Sequence, residues 1–222
     1  MYMDWSFNFL KKTPKIESKE LHQKSAHVGP NIVWLHGAGQ TSTSFNYLRL
    51  VLPDWPATLI DYSSENSFYD NLDLIHSSVC SKEPLFVIGH SLGGIYGLHL
   101  TQHCNVVGGI SISTPFNGSV IADWAKYIIP SYPLFRDVGS KSRPITEANS
   151  MPINIPWTQI ISTTGTVPYI KAPNDGVVTI ASMEQRKDDM ECVYVENTHY
   201  EVMCSNDVAH IIQPRYEALM LQ

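Results

Sequence analysis

Gly89-His90-Ser91-Leu92-Gly93-Gly94 constrains this chain more tightly than any other stretch. It follows the apolar run Leu85-Phe86-Val87-Ile88 and leads into a helix-like segment. In that strand–turn–helix setting, G-x-S-x-G forms a nucleophile elbow, with the serine hydroxyl held clear of a sheet and the start of a helix beneath it. The turn is so tight that the flanking positions must be glycine. A side chain there would clash with the serine or with the neighbouring strand.

The rest of the sequence supplies the sheet. Short apolar runs at Ile32–Leu35, Ala57–Ile60, Leu85–Ile88, Val106–Ile112, Trp157–Ile161 and Cys192–Val195 alternate with helix-like stretches. Helices are expected at about 43–52, 67–80, 92–104 and 206–221. Near-continuous apolar runs suit strands covered on both faces, so the fold class is α/β, with a doubly wound, mainly parallel sheet. Trp5, Phe7 and Phe9 alternate with Ser6 and Asn8, the pattern of a half-buried strand ahead of Ile32. At 222 residues, one domain spanning 1–222 can bury roughly 70% of its unfolded surface.

Ligands of such sheets sit beyond the carboxyl ends of the strands. Ser91 follows one strand there, and His199, in Asn197-Thr198-His199-Tyr200, follows the last. Asp175, in Asn174-Asp175-Gly176-Val177-Val178, follows the penultimate strand and is backed by a glycine that permits a tight loop. Serine is a poor nucleophile until a base takes its proton, and His199 is the candidate base. Asp175 would hold the imidazole in the correct tautomer and stabilise the imidazolium. His76, His99, His103 and His210 fall on expected helices, and Asp61 follows an earlier strand. Asp188 and Asp189 sit beside Glu184-Gln185-Arg186-Lys187, which reads as a solvated turn.

The order Ser…Asp…His, with the elbow, resembles the α/β-hydrolase family from about residue 31 to the end. The resemblance implies an oxyanion hole of two backbone N–H groups, one after the nucleophile at Leu92 and one in the loop after an early strand. His36-Gly37-Ala38-Gly39 looks like that H-G-x-G loop, so the second donor would be Ala38, with His36 as scaffold. Ser113-Thr114-Pro115-Phe116-Asn117-Gly118-Ser119 looks like the G-T-P-H-x-G-S segment of lipases, departing from it at Ser113 and Phe116. These matches imply a lipase-like serine esterase working through a covalent acyl-enzyme on a small ester or acyl substrate. A thioesterase or acyltransferase would share the same groups, and a hydrolase-fold binding module would usually lack one of them.

Residues 119–156 break the alternation. Half of the 14 prolines lie between Pro130 and Pro173, which argues against a long regular helix. The segment still carries Trp124, Tyr127, Tyr132 and Phe135, and it resembles the cap of α/β-hydrolases, with Trp124 and Phe135 as candidate substrate contacts.

A balance of 21 acidic against 15 basic residues gives −6, which argues against nucleic acid as a partner. No apolar run is long enough to cross a membrane. The N-terminus does not read as a signal peptide, so a cytoplasmic protein is expected. Cys80, Cys104, Cys192 and Cys204 show no C-x-x-C spacing and no metal-ligand cluster. Four reduced thiols, no cofactor and no metal are the expectation.

Overall fold

Strand β1 (Asn31–Leu35) lies inside the sheet, and the chain turns out from it in both directions. The other strands are β2 (Ala57–Ile60), β3 (Leu85–His90), β4 (Val106–Ile112), β5 (Trp157–Ser162) and β6 (Glu191–Val195). They pair in the order β2-β1-β3-β4-β5-β6, every pair parallel. The computed structural model describes residues 29–118, 139–167 and 170–221. The N-terminal strand expected around Trp5–Phe9, and the cap residues Trp124 and Phe135, lie outside the described residues.

Alternation within each strand divides the core between the two faces of the sheet. Val33, Leu35, Leu85 and Val87 point to one side, where Ile75 of helix α2 (Phe68–Val79) and Ile95 and Leu98 of helix α3 (Leu92–Leu100) cover them. Ile32, Trp34, Phe86 and Ile88 point to the other. There they meet Leu48 of helix α1 (Asn46–Val51), and Val208 and Ile212 of the C-terminal helix Asn206–Met220. Each of these side chains contributes about 1.5–3 kcal/mol by leaving water. The doubly wound sheet expected from the sequence is therefore present, with strand boundaries shifted by at most two residues.

One short helix is added to those expected, and two readings are corrected. Within 119–156, residues 143–150 form helix α4 (Arg143–Ser150), which begins with Pro144 in its first turn, where a missing N–H costs nothing. Ile145 and Ala148 of α4 pack into the core beside α3. Arg186 is not in a solvated turn, since only 5% of it is exposed. Its guanidinium donates to the backbone carbonyls of Ala148 and Met151 and pairs with Asp189. Finally, Cys80 and Cys104 are paired as a disulfide, so only Cys192 and Cys204 are free. No helix among the described residues is long and apolar enough to cross a membrane.

Candidate active site

The reversal of direction at β1 sets the site. β1 is flanked by β2 on one side and β3 on the other, and at such a switch point the loops leaving adjacent strands splay apart and open a crevice. The loop after β1 carries His36–Gly39, and the loop after β3 carries Ser91. A Cβ built on Gly37 would stand 3.2 Å from Ser91 Cβ, so the two loops are in contact.

Ser91 has φ 52° and ψ −119°, a conformation costly for a residue with a side chain. The surroundings enforce it. A Cβ on Gly93 would land on the Leu35 carbonyl, and one on Gly89 would strike the backbone of Gly93. Helix α3 can thus pass close over β1 only because these positions are glycine. The Ser91 N–H donates to the Ile112 carbonyl at 2.8 Å, which ties the turn to β4.

Asp175 and His199 leave β5 and β6 side by side. His199 Nδ1 donates to Asp175 Oδ2 at 2.7 Å, and the His199 N–H donates to the Asp175 carbonyl at 2.9 Å. Both side chains are almost wholly buried. Asp175 Oδ2 also accepts from Ser162 Oγ at 2.6 Å, while Oδ1 accepts the N–H groups of Val177 and Val178 at 3.0 and 2.7 Å. Gly176, at φ 100°, makes the turn that aims those two N–H groups at the carboxylate. Burial pushes the Asp175 carboxyl up, but the bonds from His199, Ser162 and Val178 and the His199 charge outweigh it. The carboxyl is held below its usual range. The bond to Asp175 occupies Nδ1 of His199 and leaves Nε2 for a proton. Among the described residues no hydrogen bond joins Ser91 to His199. Such bonds are often long in a free enzyme and tighten with substrate.

Two residues beyond those expected from the sequence shape the site. Ser162, at the end of β5, links Asp175 to Ser113, since the two hydroxyls lie 2.7 Å apart. Ser113 has φ 52° at the position where the lipase pattern has glycine, and its side chain is buried with its hydroxyl engaged by Ser162. Gln40 Oε1 accepts the Gly37 N–H at 3.0 Å and lies 2.9 Å from His90 Nδ1, while His90 Nε2 lies 2.9 Å from the His199 carbonyl. Burial, then the neighbouring His199, lowers the His90 pKa to about 3. Neither Ser162 nor Gln40 carries a motif, because each acts through a contact between distant loops.

Asp61 and His36 have other occupations. Asp61 accepts from the Ser42 N–H and hydroxyl at 2.5 and 3.1 Å. His36 stacks on Tyr62 with ring centroids 3.9 Å apart and accepts the Tyr62 N–H at Nε2. Its Nδ1 therefore carries the proton, donated to the Gly37 carbonyl at 2.8 Å. Burial lowers its pKa, so it stays neutral as a prop for the loop. Phe116, the other departure from the lipase pattern, is fully buried in the core.

Residues 32–179 match the model of the alpha/beta hydrolase family. The chain belongs to that family. The hydrolase is similar in fold to a lipase-esterase related protein from Clostridium acetobutylicum, with 17% identity, a TM-score of 0.62, and coverage of 84% of this chain and 93% of that one. It is also similar to a monoacylglycerol lipase from Paleococcus ferrophilus, at 14% identity and a TM-score of 0.60 over 86% and 94% of the two chains. A lipase from Bacillus licheniformis aligns at 15% identity and a TM-score of 0.57 over 87% and 92%. No curated protein matches the hydrolase in sequence.

Proposed function

We propose that the hydrolase cleaves carboxylic esters through a covalent acyl-enzyme, with Ser91 as nucleophile, His199 as base and Asp175 as orienting acid. The observation that carries this reading is the strained Ser91 elbow at the same end of the sheet as a buried His199–Asp175 pair. His199 Nε2 takes the Ser91 proton as Oγ bonds to the ester carbon, and the carbonyl electrons move onto oxygen. The N–H groups of Ala38 and Leu92 stabilise that oxyanion. The Leu92 N–H is available because the first N–H groups of a helix have no intrahelical acceptor. Collapse expels the alcohol, which takes the proton from Nε2. Water then repeats the sequence on the acyl-enzyme and releases the acid.

In the same reading residues 119–156 would cap this site, with Trp124 and Phe135 as the substrate contacts. The packing of α4 on α3 gives the segment a fixed base beside the elbow helix. Each methylene buried under the cap would contribute about 0.8 kcal/mol.

The test pairs a fluorophosphonate probe with a series of p-nitrophenyl esters and acyl thioesters. The expected result is stoichiometric labelling at Ser91 and turnover of the oxygen esters. A chain that neither labels nor turns over would be a binding module. Preferential turnover of thioesters would reassign the substrate class while keeping the residues.

A further inference from the structure

The sequence divides His76, Cys80, His103 and Cys104 between two helix ends, and the fold brings them to one place. His76 and Cys80 are four residues apart at the end of α2 and share a face, with the Cys80 N–H bonded to the His76 carbonyl at 2.9 Å. Cys104 lies in the turn that closes α3, where its N–H bonds to the Leu100 carbonyl at 2.9 Å. The Cα atoms of Cys80 and Cys104 are 5.0 Å apart. Donor atoms of His76, Cys80 and Cys104 all lie within 4.8 Å of one another. The His103 ring stands 6.0 Å from that of His76, centroid to centroid.

A disulfide needs two sulfurs and no imidazole. Two sulfurs with one or two imidazoles form the donor set of a borderline-soft divalent ion. Zinc holds thiolate at about 2.3 Å, so two sulfurs of a tetrahedral site stand about 3.8 Å apart, a span that side-chain rotation reaches from these Cα positions. His76 and His103 are exposed and the cysteines are half-buried, which leaves the ion a way in.

We propose that the dithiol form of this cluster binds one zinc-class ion through the sulfurs of Cys80 and Cys104 and a ring nitrogen of His76, with His103 turning in as the fourth ligand. Opening the disulfide with a phosphine consumes one water and gives two thiols and the phosphine oxide. Zinc(II) then displaces the two thiol protons to form two Zn–S bonds, and neutral imidazole supplies its lone pair. The two thiolate charges cancel the charge of the ion. The site is at the opposite end of α3 from Ser91, about 14 Å along a nine-residue helix, so it fastens α2 to α3 and takes no part in ester cleavage.

The experiment uses the full chain carrying Cys192→Ser and Cys204→Ser, so that no other thiol competes. The reduced protein, freed of phosphine, is titrated with cobalt(II) and then zinc(II) without oxygen. One equivalent of cobalt should give the visible bands of a tetrahedral ion and a thiolate charge-transfer band, both bleached by zinc. Zinc should also raise the thermal midpoint of the reduced chain, because the ion binds only the folded form. The disulfide form should show neither effect. His76→Ala, a change at an exposed position, should weaken binding by at least about tenfold. The proposal is overturned if reduced protein develops no thiolate–cobalt band, or if His76→Ala binds cobalt as tightly as its parent. It is equally overturned if reduction lowers the thermal midpoint and zinc restores none of it, which would leave a structural disulfide only.

Discussion

His90 Nε2 lies 2.9 Å from the backbone carbonyl of His199, so the residue preceding the candidate nucleophile is fastened to the loop that carries the candidate base. Through Nδ1 and Gln40 the same ring reaches the Gly37 N–H, and three loops from three strands become one unit. Burial keeps the ring neutral, so its one N–H goes to one of the two facing oxygens, the His199 carbonyl or Gln40 Oε1. In the fold the His90 pKa is lowered to about 3, whereas the unfolded chain takes up a proton below the ordinary 6.5. Unfolding therefore binds a proton throughout that window, and stability falls as pH drops from 6.5 towards 3, by about 1.4 kcal/mol per pH unit. Urea unfolding at pH 6 and pH 4 checks this. His90→Gln, which keeps an N–H for the carbonyl, should reduce the difference between the two pH values by roughly 2–3 kcal/mol. An unchanged difference would mean that His90 is protonated in the fold. His36 and His99, lowered chiefly by burial, add slopes of the same sign that the variant leaves in place.

Ser91→Ala should lower kcat for ester hydrolysis by roughly 10⁴–10⁶-fold, and adding His199→Ala should cost little more, because the groups act as a unit. The double-mutant cycle is the measurement. Independent, multiplying losses would separate His199 from the reaction of Ser91.

Asp175→Asn should cost roughly 10⁴-fold at neutral pH through the wrong imidazole tautomer. Asp61→Asn should leave kcat nearly intact, because Asp61 is engaged by Ser42. Steady-state rates of the two variants, compared with wild type, decide between these acids. The reverse ranking would move the acid to the end of β2.

Ser162 offers a test that the motifs alone did not suggest. Its hydroxyl gives Asp175 Oδ2 a bond of 2.6 Å, and a hydrogen bond to a charged group contributes about 1.5–3 kcal/mol. Asp175 has a depressed carboxyl pKa, so its stabilisation is complete above the ordinary value of 3.8 and is lost as pH falls from there through the folded value. Ser162→Ala removes one of the causes of that depression. Its acid unfolding midpoint should therefore move to higher pH, with stability at pH 7 reduced. An unmoved midpoint in circular-dichroism titrations would show that the backbone N–H groups of Val177 and Val178 hold the carboxylate unaided.

How much of this was legible follows from the range of each interaction. The strands could be read because burial on both faces forces continuous apolar runs, and the elbow because its glycines are imposed by backbone clashes within a few residues. Ser162, Gln40 and the Cys80–Cys104 contact depend on which strand ends and helix ends the topology brings together, and no local pattern encodes that. Helix α4 is not legible in the same way, because proline density argues only against a long helix, and this one is eight residues with Pro144 in the first turn, where proline is favoured.

The burial of Arg186 is hidden from the sequence for a related reason, since its neighbours in sequence are charged and its neighbours in space are backbone carbonyls. Only 5% of it is exposed, yet it satisfies the carbonyls of Ala148 and Met151 at the end of α4 and pairs with the half-exposed Asp189. A cation at a helix C-terminus also meets the negative end of the helix dipole. Removing the side chain leaves two carbonyls without their donor and a gap beneath α4. Arg186→Ala should therefore destabilise the fold by about 2–4 kcal/mol in urea unfolding. Arg186→Lys should rescue little, because a single ammonium cannot reach both carbonyls and Asp189 with the fork geometry of a guanidinium. Substrate selectivity separates a local role from a wider one. If α4 anchors the cap, Arg186→Ala at a temperature where it remains folded should flatten the rise of kcat/KM with acyl length and spare the shortest esters. A uniform loss across all esters would confine Arg186 to holding α4 on the core.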